Sequence, residues 1–190
     1  MLVDLPGFAD PVRDAQACFR TVLAAMARPG TVHQAGEHLA PPAGLHRATA
    51  AVLLTLVDGE TSLHVTDGFE VARDWIGFHC DMRAATAGHA RFVLAERMVD
   101  LAALAAGSDE APEESATLIL QLPELQTGTS YLLDGPGLAH PAPFRARGLG
   151  EGFVAAWAAN RARFPCGVDL ILCSGTQVAA LPRSLRITEG

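Results

Sequence analysis

The run Val168-Asp169-Leu170-Ile171-Leu172-Cys173 constrains the fold more than any other stretch of the chain. It has strand length and many branched residues, with Pro165-Cys166-Gly167 before it and Ser174-Gly175 after it, so it reads as a strand buried on both faces. Ser-Gly supplies the positive-φ freedom of a tight turn. Gln177 to Leu181 then returns as a second strand, ended by Pro182, which has no amide to give to a ladder. The chain is expected to close on a hairpin through its core. Asp169 is a charge inside that hairpin and must either reach water at the sheet end or find a donor. On the plainer reading the partner is water or a backbone amide; on the sharper one it is an arginine, Arg20 or Arg183.

Upstream, Asp10-Pro11 reads as an N-cap followed by proline at the first helical position. Val12, Ala15, Phe19, Val22 and Met26 recur at helical spacing and are expected to face the core, with Arg28-Pro29-Gly30 stopping the helix. A loop spans residues 36–44. A helix follows from about Arg47 to Val57, a strand over Ser62 to Thr66, and a weaker helix over Glu70 to Phe78. Arg91 to Ala95 reads as a strand, and Glu96 to Ala106 as a helix with Gly107 at its C-terminal cap. Thr117 to Leu122 and Ser130 to Leu133 are expected strands. The segment 140–150 is Pro- and Gly-rich with two arginines and is assigned no element, and Phe153 to Arg163 reads as the last helix. Helices alternate with strands early and hairpins close the chain, which predicts a single α/β domain over residues 1–190 with a mixed sheet flanked by helices.

Several function classes drop out on composition. The chain has 190 residues and a net charge of −7, which argues against a general nucleic-acid binder. No apolar run approaches membrane-spanning length, and the start of the chain lacks the pattern of a secretory leader, so the expectation is a cytoplasmic protein away from the membrane. Four cysteines show neither a C-x-x-C pair nor zinc-like spacing, and the seven histidines make no H-E-x-x-H, so no metal is expected. All 14 basic residues are arginine. Without lysine there can be no internal aldimine with pyridoxal phosphate and no Walker A loop. No G-x-S-x-G elbow is present, so no catalytic residues are assigned.

Candidate contacts are fewer. Gln16 and Arg20 are i, i+4 neighbours on the first helix, and Arg183 follows Pro182 at a strand end. A solvated surface and an anion contact are both open for each of them. Residue chemistry alone reaches a soluble α/β domain without visible catalytic machinery.

The order of motifs adds a resemblance. Pro11-Val12, Asp14-Ala15-Gln16, Phe19-Arg20, Leu23, Ala25-Met26 and Pro29-Gly30 resemble the opening signature of the PhnH family, a subunit of the bacterial carbon–phosphorus lyase system. Val52-Leu53-Leu54-Thr55-Leu56, Ala116-Thr117-Leu118-Ile119-Leu120-Gln121, Phe164-Pro165, Gly167, Asp169-Leu170-Ile171-Leu172 and Pro182-Arg183 follow in family order. The resemblance implies a cytoplasmic subunit of phosphonate catabolism that joins the G, I and J proteins in a core complex and forms a homodimer when isolated. It implies support for transfer of ribose 5-triphosphate from ATP to methylphosphonate with release of adenine. It also implies a fold similar to that of pyridoxal-phosphate-dependent transferases without the cofactor site. Two roles stay open: a non-catalytic assembly subunit, or a direct contributor to an anionic substrate site through Arg20, Arg183, Gln16 and Asp169.

Overall fold

The computed structural model describes residues 5–190. The reading of the chain start as leaderless rests partly on residues 1–4, which lie outside the described residues.

Helix α1 (Pro11–Ala27) begins as expected, with Asp10 accepting from the Arg13 amide and proline in the first turn. β1 (His33–Gln34) follows, then α2 (Arg47–Leu56), β2 (Ser62–Val65), α3 (Glu70–Cys80), β3 (Arg83–Ala84), β4 (Phe92–Ala95) and β5 (Thr117–Gln121). β6 (Glu124–Asp134) and β7 (Ala142–Arg147) form a hairpin; α4 (Phe153–Arg161), β8 (Asp169–Ser174), β9 (Gln177–Leu181) and β10 (Arg186–Glu189) complete the chain.

Seven strands make one sheet in the order β1-β9-β8-β5-β4-β2-β3. From β3 to β8 neighbours run parallel, and β9 returns antiparallel to both β8 and β1. The closing hairpin β8–β9 therefore lies inside the sheet, as the sequence predicts. A period of two sorts its side chains between two cores. Ile171, Cys173, Val178 and Ala180 face the layer made by α1, α2 and α3, together with Ile119 and Leu94. Leu170, Leu172, Ala179 and Leu181 face the other way, toward α4 and a second sheet.

That second sheet, β10-β6-β7, was not anticipated. The segment 140–150, rich in Pro and Gly and assigned no element from sequence, holds β7, an edge strand that carries Pro143. An edge position tolerates a missing donor. β6 runs well beyond the expected Ser130 to Leu133. Leu125 and Thr129 both pair with Ala146, so residues 126–128 bulge out, with Gln126 and Gly128 at φ 68° and 83°.

Two helix readings need correction. Glu96 to Ala106 is not a helix but an irregular segment with one 3-10 turn at Leu101–Ala103. Its apolar residues pack on the second core, while its backbone is committed elsewhere: the Ala105 and Ala106 carbonyls accept from Ala116 and Gly167. α1, in turn, meets the expectation only in part: Val22 is buried and Met26 packs against the core, but Val12 and Phe19 face outward. Cys18, Val22 and Ala25 are buried, whereas Val12, Phe19 and Leu23 are 67%, 52% and 57% exposed. Apolar residues occur on both faces of this helix, so spacing alone could not choose between them.

Candidate functional site

Asp169 opens β8 and Arg183 follows β9, so the antiparallel register brings the two hairpin ends together. The Arg183 backbone amide donates to Asp169 Oδ1 at 2.7 Å, and its Nε donates to Oδ2 at 3.0 Å. Nη2 completes the ion pair on Oδ2. Nη1 is held by the Pro112 carbonyl at 2.8 Å. The side chains are only 13% and 15% exposed, so water competes poorly for them. Each of the three guanidinium nitrogens donates to a protein oxygen. As it stands, the pair is a clasp that locks the hairpin mouth to the 112–114 turn.

Gln16 and Arg20 lie elsewhere, on the exposed side of α1. Among the described residues, no ion pair joins Arg20 to Asp169; the partner of that carboxylate is Arg183. Gln16 and Arg20 line an open recess of about 280 Å³ together with Ala15, Phe19 and Thr55. Val12, Phe19 and Leu23, at i, i+7 and i+11, form an exposed apolar stripe on the same helix. The candidate residues thus fall into two places, a buried clasp and a helix surface.

A third arrangement was missed from sequence because its members lie far apart in the chain. At the end of β5 the Gln121 side chain accepts from the His46 amide at 2.7 Å and from Thr49 Oγ1 at 2.9 Å, and donates to the Gly44 carbonyl at 2.8 Å. His46 Nδ1 accepts from the Gly175 amide in the closing turn at 3.2 Å. Partial burial pushes the His46 pKa down, favouring the neutral ring that this bond requires. The network pins the start of α2 to the ends of β5 and β8. Only Thr117-Leu118-Ile119-Leu120-Gln121, an apolar run finishing in an amide, hinted at it.

Reactive groups do not gather. Cys18, Cys80 and Cys173 are buried; burial holds the Cys80 thiol up at about 12 and raises those of Cys18 and Cys173 as well. Among the described residues no three His, Cys, Asp or Glu side chains are grouped to hold a metal, and no helix is long and apolar enough to cross a membrane.

Comparison with known proteins adds a relationship over nearly the whole chain. Residues 6–188 match the family described as PhnH, bacterial phosphonate metabolism protein. The chain is 36% identical over 186 residues to "Alpha-D-ribose 1-methylphosphonate 5-triphosphate synthase subunit PhnH" of Rhizobium meliloti (strain 1021), covering 95% of this chain and 93% of that protein. It is 33% identical over 178 residues to "Putative C-P lyase subunit protein HtxG" of Stutzerimonas stutzeri, covering 90% and 85% respectively.

Proposed function

The chain belongs to the PhnH family of bacterial phosphonate metabolism proteins, and from that premise we propose that it is a subunit of a carbon–phosphorus lyase complex. In this reading it supports transfer of ribose 5-triphosphate from ATP to methylphosphonate, with adenine displaced, and it does so by assembly rather than by chemistry of its own. The observation that carries the reading is the match of both relatives, each named as a subunit, over at least 85% of their length. The geometry agrees: polar side chains are used for clasps and caps, while α1 leaves an apolar stripe uncovered. Such stripes mark partner surfaces.

The finer parts of the proposal follow from the same premise. The chain acts in the cytoplasm as one PhnH-like domain, pairs with a second copy when isolated, and joins the G, I and J proteins when they are present. Likeness to pyridoxal-phosphate-dependent transferases without the cofactor site is part of the reading, and the sequence holds no lysine that could bind that cofactor as an aldimine.

A second reading has one observation in its favour. Gln16 and Arg20 share an open recess with the exposed ring of Phe19, a combination of cation, amide and aromatic face suited to a phosphorylated substrate or nucleotide.

The test is co-expression of the partner subunits with and without this chain, followed by adenine release from ATP and methylphosphonate. Release is expected only when the chain is present; full release without it would overturn the proposal. Arg20→Ala separates the two readings. An assembly role leaves KM for both substrates unchanged once the complex has formed, whereas a contact role raises KM in a complex of normal composition.

A further inference from the structure

A cavity of about 280 Å³ lies between the segment preceding α1, the inner flank of that helix and the loop after β1. Small residues leave it unfilled: Gly7, Ala9, Ala17, Ala35, Gly36 and Ala40 are in its wall. Gly36 cannot be enlarged, because at φ +72° an added Cβ would sit 2.3 Å from the Arg47 carbonyl oxygen. That close approach fixes this part of the cavity wall against the start of α2.

Its chemistry is one-sided. Phe8, Cys18 and Leu39 supply an apolar lining, and the Phe8 ring packs on the helical core. Half-buried Asp14 and exposed Glu37, at the rim, bring two carboxylates, and among the described residues neither arginine nor lysine lines the cavity. Asp14 already accepts from the Asp10 amide at 3.1 Å, which leaves it acceptor capacity. The positive end of α1 opens nearby, but its effective half charge is answered by Asp10 and Asp14 in the cap and first turn. Arg47 reaches the neighbourhood from outside the lining, donating to the Glu37 carbonyl at 3.3 Å. His38 lies in the lining and is exposed. An anionic phosphonate or nucleotide would face two like charges there. A compact cation would meet two carboxylates and an aromatic ring, the set that recognises ammonium groups.

We propose that this cavity is a binding site for a small organic ammonium ion, a protonated amine carried on a compact apolar body. It is separate from the recess at Gln16 and Arg20 and owes nothing to the lyase reading.

The test is calorimetric titration of the full chain with benzylammonium, benzyl alcohol and benzoate, which share one body and differ in charge. Benzylammonium is expected to bind with Kd on the order of 1 mM, and benzoate at least about tenfold more weakly. Glu37→Gln should weaken benzylammonium about three- to tenfold while leaving benzyl alcohol unchanged. Ala17→Leu, a helix-compatible change that fills the cavity, should abolish both. Benzoate binding as well as benzylammonium, Ala17→Leu leaving the titration unchanged, or no heat from benzylammonium with the wild-type chain would each overturn the site.

Discussion

Asp169 shows how much one side chain can hold. It receives a backbone amide and two guanidinium donors from Arg183 while nearly buried. Replacing it with asparagine keeps the shape and one acceptor but leaves the guanidinium without its counter-charge. Asp169→Asn is therefore expected to lower stability by about 2–4 kcal/mol in denaturant melts. A loss near zero would mean that the pair contributes only alignment. His46 makes a prediction of a different kind. Its folded pKa is depressed below the ordinary 6.5 by burial, so in acid the unfolded chain takes up a proton that the folded one refuses. Stability from this group is complete above about pH 6.5 and is lost as pH falls through the folded pKa. Protonation would also set Nδ1–H against the Gly175 amide, donor against donor. His46→Gln should flatten the fall in stability between neutral and mildly acid pH; an unchanged slope would assign that fall to other groups.

At the scale of elements, legibility followed the strength of local signals. The closing hairpin, the Asp10-Pro11 start of α1, and α2 and α3 could be read because caps, turns and periodicity agree there. β1 and β3 could not, since each is two residues long and exists only through its neighbour. β7 was hidden by Pro143, harmless at an edge but a strand breaker by composition. The 96–106 segment shows the reverse: Met98, Leu101, Leu104 and Ala105 mimic a helix, while carbonyls 105 and 106 are claimed by distant strand and turn amides. Of the site residues, Arg183 and Asp169 were named as a possible pair from sequence, but the Gln121–His46–Gly175 network spans more than a hundred residues and left no local trace. The docking of elements also depends on close approaches. Gly137 sits at φ +88°, and an added Cβ there would lie 2.5 Å from the Ala27 carbonyl oxygen and 2.7 Å from Pro29. Gly137→Ala should therefore push the 135–137 turn off the end of α1 and cost about 2 kcal/mol or more. A melt like that of the wild type would show that this junction yields.

For the molecule as a whole, the exposed stripe on α1 is where internal packing ends and association can begin. Burying Phe19 and Leu23 on a partner removes apolar surface that folding alone leaves in water, at about 25 cal/mol per Å² before the costs of association. Because these side chains are already more than half exposed in the single chain, replacing them should scarcely change its stability. The double variant Phe19→Ser, Leu23→Ser is thus expected to melt within about 0.5 kcal/mol of the wild type, to lose the self-association proposed for the isolated chain when the two are compared by sedimentation, and to fail to join the other lyase subunits. Leu132→Ser is the matched control: Leu132 is 38% exposed, but on the three-stranded sheet, in the layer opposite α1. It should leave association intact. If the α1 variant still pairs while the Leu132 variant does not, the partner surface belongs to the other face of the molecule, and α1 carries its apolar stripe for another purpose.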